Sequence, residues 1–359
     1  MAAQALRPAA ASVHRKGSDA APMRIFRHYE EVSPDVRGAV IALGNFDGVH
    51  RGHRVVLGTA LRIARETGAP AAAMTFEPHP RMVFRPDLEP FRLTSFRTKS
   101  RHIAALGLDF LYAQHFDTAF ASKTAEDFVR DVLVAGLGVS HVVVGADYVF
   151  GKGRQGDVAF LRQMAADHGF DVTSVGSVTA EDGTIYSSTN IRGALRDARP
   201  RDAARLLGRF WEIEGRVEHG DKRGRTIGFP TANVSIGELL RPAVGVYAVR
   251  AGVDAGENTV WMDGVANFGR RPTFDKQTLL LEVHLFDRQI DLYGEHLRVA
   301  LVDHLRGERK FSGLEELKAQ IQRDEAEARR ILATLPGHGE AAPEVAWPDA
   351  FDAPGPASS

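Results

Sequence analysis

The hydrophobic periodicity of this chain changes once, near residue 200, and that change limits what the chain can fold into. Before it, continuous apolar runs at 39–43, 71–75 and 141–145 alternate with helical stretches. Such runs are typical of strands that are buried on both faces, so the pattern predicts βαβ units in a doubly wound parallel sheet. After residue 210, five or six short alternating segments are separated by turns that contain Gly, Pro or Asp. They predict a small antiparallel β-barrel, followed by a terminal helix over 313–332.

This change divides the 359 residues into two domains, which the length also favours. We expect domains at 23–203 and 204–335. Residues 1–22 are predicted to form a disordered arm. Residues 336–359 contain five prolines and no Lys or Arg, and this composition predicts a disordered tail.

Composition excludes several classes of protein. The chain has no cysteine, which rules out disulfides, Cys-ligated zinc and thiol catalysis. Its 45 basic and 46 acidic residues leave a net charge of −1, which argues against nucleic acid and anionic membranes as partners. No window is apolar enough for a membrane span, so we expect a soluble, cytoplasmic protein.

The first candidate site follows the run at 39–43, where the segment GNFDGVHRGH at 44–53 opens the next helix. In a doubly wound sheet, ligands bind at the carboxyl ends of the strands, beside helix N-termini. His50 and His53 could donate hydrogen bonds to nucleotide phosphates while charge develops at phosphorus. A glycine between them would let a ligand approach the backbone. The alternative is a Gly-rich turn with two capping histidines.

Three more polar segments follow predicted strands or begin helices. FEPHP at 76–80 would form a loop stiffened by two prolines. GADYVFG at 145–151 offers Asp147 and an aromatic surface, and SSTNIR at 187–192 offers hydroxyls and a guanidinium suited to phosphate. The match to G-x-G-x-x-G at 151–156 lies too late in the domain for a dinucleotide fold, so a flexible basic loop is favoured. The spacing there also excludes a P-loop.

The second domain has its own cluster in the loop 219–233, which holds three basic residues and four Gly or Pro. Backbone N–H groups and cations of this kind can hold phosphates without a P-loop. Thr231 and Asn233 offer neutral oxygen ligands that suit Mg²⁺ carried by ATP. On the strand LEVHLF, alternation places Glu282 on the face of His284, where it could take a proton from a substrate hydroxyl. A solvent-facing strand glutamate is the alternative.

Taken in order, these motifs resemble the prokaryotic bifunctional riboflavin kinase/FMN adenylyltransferase family, over residues 23–335. The matching pieces are GNFDGVHRGH, FEPHP, GADYVFG, SSTNIR, GRTIGFPTAN, GVY at 245–247, NFGRRPTF, LEVHLFD, DLYG and LRGERKF. The resemblance implies that a kinase domain converts riboflavin and MgATP to FMN, and that the N-terminal nucleotidyltransferase domain then transfers AMP to FMN.

The resemblance also implies roles for individual residues. The catalytic residues would be Glu282, His50 and His53, and the metal would be bound by Thr231 and Asn233. ATP and its phosphates would be bound by Gly44, Asn45, Phe46, Asp47, Gly48, Ser188, Thr189, Arg192, Gly224, Arg225 and Gly228; the flavin would be bound by Asp147, Phe150 and Arg298. The sequence has Tyr148 where the family usually has Phe.

Mg²⁺ is the only cofactor expected, and the partners are ATP, riboflavin and FMN, with the oligomeric state left open. Two other classes stay open: a Rossmann dehydrogenase using residues 151–156, and a regulatory or scaffold protein with inactive sites.

Overall fold

The computed structural model describes residues 22–218, 228–272, 277–288 and 290–335. The predicted tail at 336–359 and almost all of the predicted arm lie outside these ranges. The N-terminal domain contains a six-stranded parallel sheet in the order β1-β4-β3-β2-β5-β6, which confirms the predicted doubly wound sheet. Its strands are β1 Arg24–Phe26, β2 Val40–Leu43, β3 Ala71–Glu77, β4 Phe110–His115, β5 His141–Gly145 and β6 Asp171–Val175.

Helices cover both faces of this sheet, and the longer ones bury an apolar stripe against it. In α1, Leu57, Ala60 and Ala64 are buried at helical spacing, and the helix ends at Gly68 with φ 70°. The helices of this domain are α1 Arg51–Thr67, α2 Pro80–Phe84, α3 Phe96–Ala104, α4 Thr118–Ala121, α5 Ala125–Asp127 (continued by a π-helix Phe128–Leu137), α6 Val158–His168, α7 Ser188–Arg196 and α8 Pro200–Leu207.

The strand order reverses between β2 and β5, because β3 lies on one side of β2 and β5 on the other. A doubly wound sheet has its ligand crevice at such a reversal, outside the carboxyl ends of the strands. The segments that follow these two strands are 44–50 and 146–157, which contain most of two of the four segments that the sequence singled out, 44–53 and 145–151. The topology therefore places both of them at one edge of the sheet.

The second domain is a closed antiparallel barrel with strand order β10-β11-β8-β7-β12-β9, as predicted. Its core is formed by the inward residues of each strand, such as Ile213, Leu281 and Val299. The strands are β7 Trp211–Glu218, β8 Ala232–Val234, β9 Gly245–Val253, β10 Met262–Pro272, β11 Gln277–Leu285 and β12 His296–Arg306.

The terminal helix α9, Leu314–Leu332, packs its last turns on the outside of the barrel, where Ala328 and Ile331 join Val246 and Val302. The buried face of this helix is not purely apolar, since it includes Gln320 and Asp324. Leu314 is exposed, whereas Asp324 is buried because its carboxylate accepts hydrogen bonds from the Arg306 guanidinium at 2.8–3.0 Å.

One hydrophobic cluster spans the two domains, while the parallel sheet has two further clusters of its own. Ile191 and Leu195 of α7 and Leu206 and Leu207 of α8 belong to the same buried cluster as the barrel interior. The predicted boundary at 203/204 falls inside α8.

Candidate active sites

The segment that follows β2 forms a tight loop held in an unusual backbone conformation. Phe46 and Val49 have φ values of 46° and 41°, in a region that bulky and β-branched residues rarely adopt. Both side chains are buried, and the Thr75 hydroxyl donates to the Asn45 carbonyl at 3.0 Å. The surrounding structure therefore fixes this loop, which is what strained backbone at functional sites requires.

Asp47 lies at the centre of this loop and is 2% exposed. Its carboxylate accepts from the backbone N–H groups of Leu93 and Thr94 at 2.9–3.2 Å and from the Arg192 guanidinium at 2.6 Å. Burial raises the pKa of Asp47, but the charges of Arg192 and Lys99 outweigh it, so the net shift is downward. Asp47 is one of the residues predicted to bind ATP or its phosphates, and here its carboxylate binds protein donors and holds Arg192.

His50 and His53 lie one turn apart at the start of α1, with stacked rings whose centroids are 3.6 Å apart. The His50 Nδ1 accepts from the His53 backbone N–H at 3.3 Å, so His50 caps the helix. The capping role that the sequence offered as an alternative is therefore present. A neutral imidazole with an accepting Nδ1 carries its proton on Nε2, so His50 has one N–H donor left for a ligand.

Burial lowers the pKa of His50 to about 3, with a smaller lowering by the charge of Arg209. Burial and the neighbouring His50 hold the pKa of His53 well below its usual value. Both rings are consequently neutral at physiological pH. The intervening Gly52 is required by packing, because a Cβ there would lie 2.9 Å from the Tyr186 carbonyl oxygen.

The residues of the 187–192 segment meet this loop. The Ser188 hydroxyl donates to the Asp47 carbonyl at 2.9 Å, and Arg192 also donates to the Phe91 carbonyl at 2.8 Å. Arg192 and the exposed Thr189 line a cavity of about 820 Å³. The sequence analysis missed three other arginines in its lining: Arg81, Arg85 and Arg196. Two features of the sequence could have indicated these arginines: the run RMVFR at 81–85, directly after FEPHP, and Arg196, which lies one helical turn beyond Arg192.

The segment after β5 separates its two predicted flavin residues. Asp147 is exposed, whereas Phe150 is 7% exposed and packs in the core against Tyr148 and Phe128, with ring centroids 5.7 and 5.4 Å away. The G-x-G-x-x-G match, expected to be a basic loop, contains a 3-10 turn at Lys152–Arg154, and its two ends are closed by a bridge between Phe150 and Gly156.

In the barrel, Glu282 faces outward, because its neighbours Leu281 and Val283 belong to the interior core. Register places Asn233 of β8 directly opposite Glu282 on one side and Asn267 of β10 on the other. Paired residues have Cβ atoms about 5 Å apart. Asn233 is 7% exposed, and its Oδ1 has no hydrogen-bond partner among the residues that the structure describes.

A buried amide oxygen without a donor, beside a carboxylate, is a donor set suited to a hard cation such as Mg²⁺. Thr231, the other predicted metal ligand, lines a cavity of about 520 Å³ at the barrel end, together with Gly228, Arg288 and Tyr293. The strand residues lining this cavity, Val283 and Leu285, point inward, opposite to Glu282. Gly224 and Arg225 lie outside the described residues.

The third predicted flavin residue, Arg298, has a different environment. It is 7% exposed and donates to Glu212 at 2.8–2.9 Å and to Thr259 at 3.1 Å, with its guanidinium 4.8 Å from the Trp261 ring centroid. It pairs with Glu214 on β7, four residues from the Glu218–Asn233 pair, or about 13 Å along the strand. The structure does not bring Arg298 to Glu282.

A doubly wound sheet with a histidine pair at its switch point, joined to a barrel with a carboxylate–amide site, defines a two-domain transferase that acts on phosphate groups. Residues 32–190 match the family model described as FAD synthetase, and residues 207–332 match the one described as riboflavin kinase. The chain belongs to the bifunctional riboflavin kinase/FMN adenylyltransferase family, which confirms the resemblance seen in its motifs.

Individual relatives show how far the similarity extends. The bifunctional riboflavin kinase/FMN adenylyltransferase of Escherichia coli strain K12 is 46% identical over 295 residues, covering 82% of this chain and 93% of that protein. The Pseudomonas fluorescens enzyme of the same name is 42% identical and covers 87% of this chain and 98% of its own. A crystal structure described as a macrolide-efflux protein from Streptococcus pneumoniae aligns with TM-score 0.75 and 31% identity, covering 86% and 99% of the two chains. In the described part of this chain, no helix has the length and apolar character needed to cross a bilayer.

Proposed function

We propose that each domain of this chain carries one step of FAD synthesis, at the two sites described above. As a family member, the chain phosphorylates riboflavin with ATP to give FMN, then adenylylates FMN with a second ATP and releases pyrophosphate. The assignment of one step to each domain is supported by the two family models, each of which matches one domain. The proposal places the enzyme in the cytoplasm with ATP, riboflavin and FMN as its small-molecule partners.

In the N-terminal domain, a phosphate oxygen of FMN would attack the α-phosphorus of ATP, and the bond to the β-phosphate oxygen would break. Neutral His50 can donate its Nε2–H to the phosphates, and His53 stacks beside it at 3.6 Å. Arg192, held by Asp47, offers a positive charge at the rim of the arginine-lined cavity. These groups contribute position and charge stabilisation, which is the main requirement of transfer at phosphorus.

In the barrel, the Glu282 carboxylate would accept the proton of the riboflavin hydroxyl as that oxygen attacks the γ-phosphorus of ATP. Asn233 and Thr231 would hold Mg²⁺ through their side-chain oxygens, a role supported by the Asn233 Oδ1, which has no hydrogen-bond partner among the described residues. Mg²⁺ bound with ATP would neutralise charge on the phosphates.

A product assay tests both assignments in one protein. Riboflavin, ATP and Mg²⁺ are supplied, and riboflavin, FMN and FAD are separated by chromatography. We expect His53→Ala to stop at FMN. We expect Glu282→Ala to abolish phosphorylation while supplied FMN is still converted to FAD.

Matched controls are His168→Ala and Glu315→Ala, since both residues are exposed and distant from the sites in sequence. Each control should form FAD at the rate of the unaltered chain. Phosphorylation at near wild-type rate by Glu282→Ala would show that the base assignment is wrong.

A further inference from the structure

Arg209 lies between α8 and β7, at the entrance to the barrel, in the part of the chain that matches the riboflavin kinase model. Its guanidinium nevertheless binds the other domain. Nη2 donates to the Gly48 carbonyl at 2.6 Å, and Nη1 donates to the Val49 carbonyl at 3.2 Å. These two residues immediately precede His50.

Arg209 binds a part of the loop whose backbone conformation is strained. Val49 is β-branched and has φ 41°, a conformation that such residues adopt only when their surroundings enforce it. His50 follows directly, and its Nδ1 must stay in place to cap α1 and to stack on His53. A loop that relaxed at Gly48 and Val49 would therefore move the histidine pair.

The charge of Arg209 strengthens this hold. Burial and, to a smaller extent, Arg54 lower the pKa of Arg209 to about 9, so the guanidinium still carries its charge at neutral pH. Hydrogen bonds from a charged donor to buried carbonyls are among the stronger ones in proteins.

A second contact from the same segment reaches the loop through Leu93 and Asp47. The buried Trp211 indole N–H donates to the Leu93 carbonyl at 2.7 Å, and the Leu93 N–H donates to Asp47 at 2.9 Å. Arg209 and Trp211 thus reach the adenylyltransferase loop by two separate routes.

We propose that Arg209 is a positioning residue for adenylyl transfer, supplied to the N-terminal site by the segment that begins the kinase barrel. This inference rests on the proposed function of the histidine pair. It implies that FAD formation depends on a residue outside the domain that performs it.

The test compares Arg209→Gln and Arg209→Lys in the full chain, with the two activities measured separately on the same preparation. We expect Arg209→Gln to lower kcat for FMN adenylylation about ten- to hundredfold, the effect of losing charged hydrogen bonds, with little change in KM for ATP or FMN. Riboflavin phosphorylation should stay within about twofold. Arg209→Lys should recover part of kcat, since its ammonium can still donate to one carbonyl.

Arg201→Gln is the matched control, because Arg201 is an exposed arginine on the adjoining helix that pairs with Asp303. It should leave both activities unchanged. Adenylylation at the wild-type rate in Arg209→Gln would overturn the inference, and so would an equal fall of both activities, which indicates general destabilisation. If His53→Ala also retains adenylylation, the proposed function is wrong; if His53→Ala abolishes it and Arg209→Gln does not, only the role of Arg209 is wrong.

Discussion

Replacing Asp47 by Asn tests whether this carboxylate is the anchor of the adenylyltransferase loop. The substitution keeps the shape of the side chain and removes its charge. It leaves the guanidinium of Arg192, whose Nη2 lies 2.6 Å from Asp47 Oδ2, without a buried counter-ion. It also turns an amide NH₂ toward the N–H groups of Leu93 and Thr94, if the amide oxygen faces Arg192.

The magnitude follows from the burial of the pair, whose side chains are only 3% and 10% exposed. Removing one partner of a buried ion pair costs about 3–5 kcal/mol. In a domain of this size, 1 kcal/mol corresponds to about 2–4 °C in Tm, so the N-terminal unfolding transition should fall by about 6–20 °C. FMN adenylylation should fall with it, because Arg192 loses its orientation.

Differential scanning calorimetry in dilute buffer measures the transition, with Asp167→Asn as control because Asp167 is exposed on α6. The lowered pKa of Asp47 gives a second signature. The stability that its ionised form contributes is present above the unfolded pKa of about 3.9 and is lost as pH falls through the folded value. Asp47→Asn should lack this loss. A Tm within about 2 °C of wild type, with adenylylation intact, would refute the anchoring role.

Three further outcomes follow from the geometry. The pKa of His50 falls from 6.5 to about 3 on folding, so the unfolded chain takes up its proton first. The free energy of unfolding should therefore decline below pH 6.5. Between pH 7 and pH 5, urea denaturation should show that the free energy of unfolding of His50→Gln falls by about 2 kcal/mol less than that of wild type. Asn233→Ala should raise the Mg²⁺ concentration for half-maximal riboflavin phosphorylation at least about tenfold, whereas an unchanged Mg²⁺ titration would exclude Asn233 as a ligand. Asp324→Asn leaves Arg306 without its carboxylate and should cost about 2–3 kcal/mol, measured by thermal unfolding; an unshifted Tm would contradict it.

The strands that the sequence predicted well are those that consist of one continuous run of apolar residues. β2 and β5 fall within one residue of their predicted ranges, because parallel strands covered on both faces are apolar throughout. β6 was missed since four of its five residues, Val172–Val175, are only partly buried and half of them are polar. β8 was missed because two of its three residues, Ala232 and Asn233, were assigned to the preceding loop.

The candidate sites could be predicted only as far as their residues lie together in sequence. The histidine pair and the Asn233 and Glu282 segments carry their own local patterns. The partners of Asp47 and of the Gly48 carbonyl do not, since Arg192 and Arg209 lie 145 and 161 residues away. Nothing in a local pattern indicates that Asp47 binds a guanidinium of the protein rather than a ligand.

The domain boundary is a second case in which the local sequence pattern does not predict the tertiary contacts. Periodicity changes near residue 200 because strands replace helices there, and this change identifies where the fold class changes. It carries no information about which core an amphipathic helix joins, because an apolar face has the same sequence whichever partner covers it. Leu195 and Leu206 pack with the barrel interior although they precede the barrel in the chain. A substitution in that shared core, such as Leu206→Ala, is therefore expected to disturb the adenylyltransferase loop and the barrel together, whereas Arg209→Gln acts on one of them.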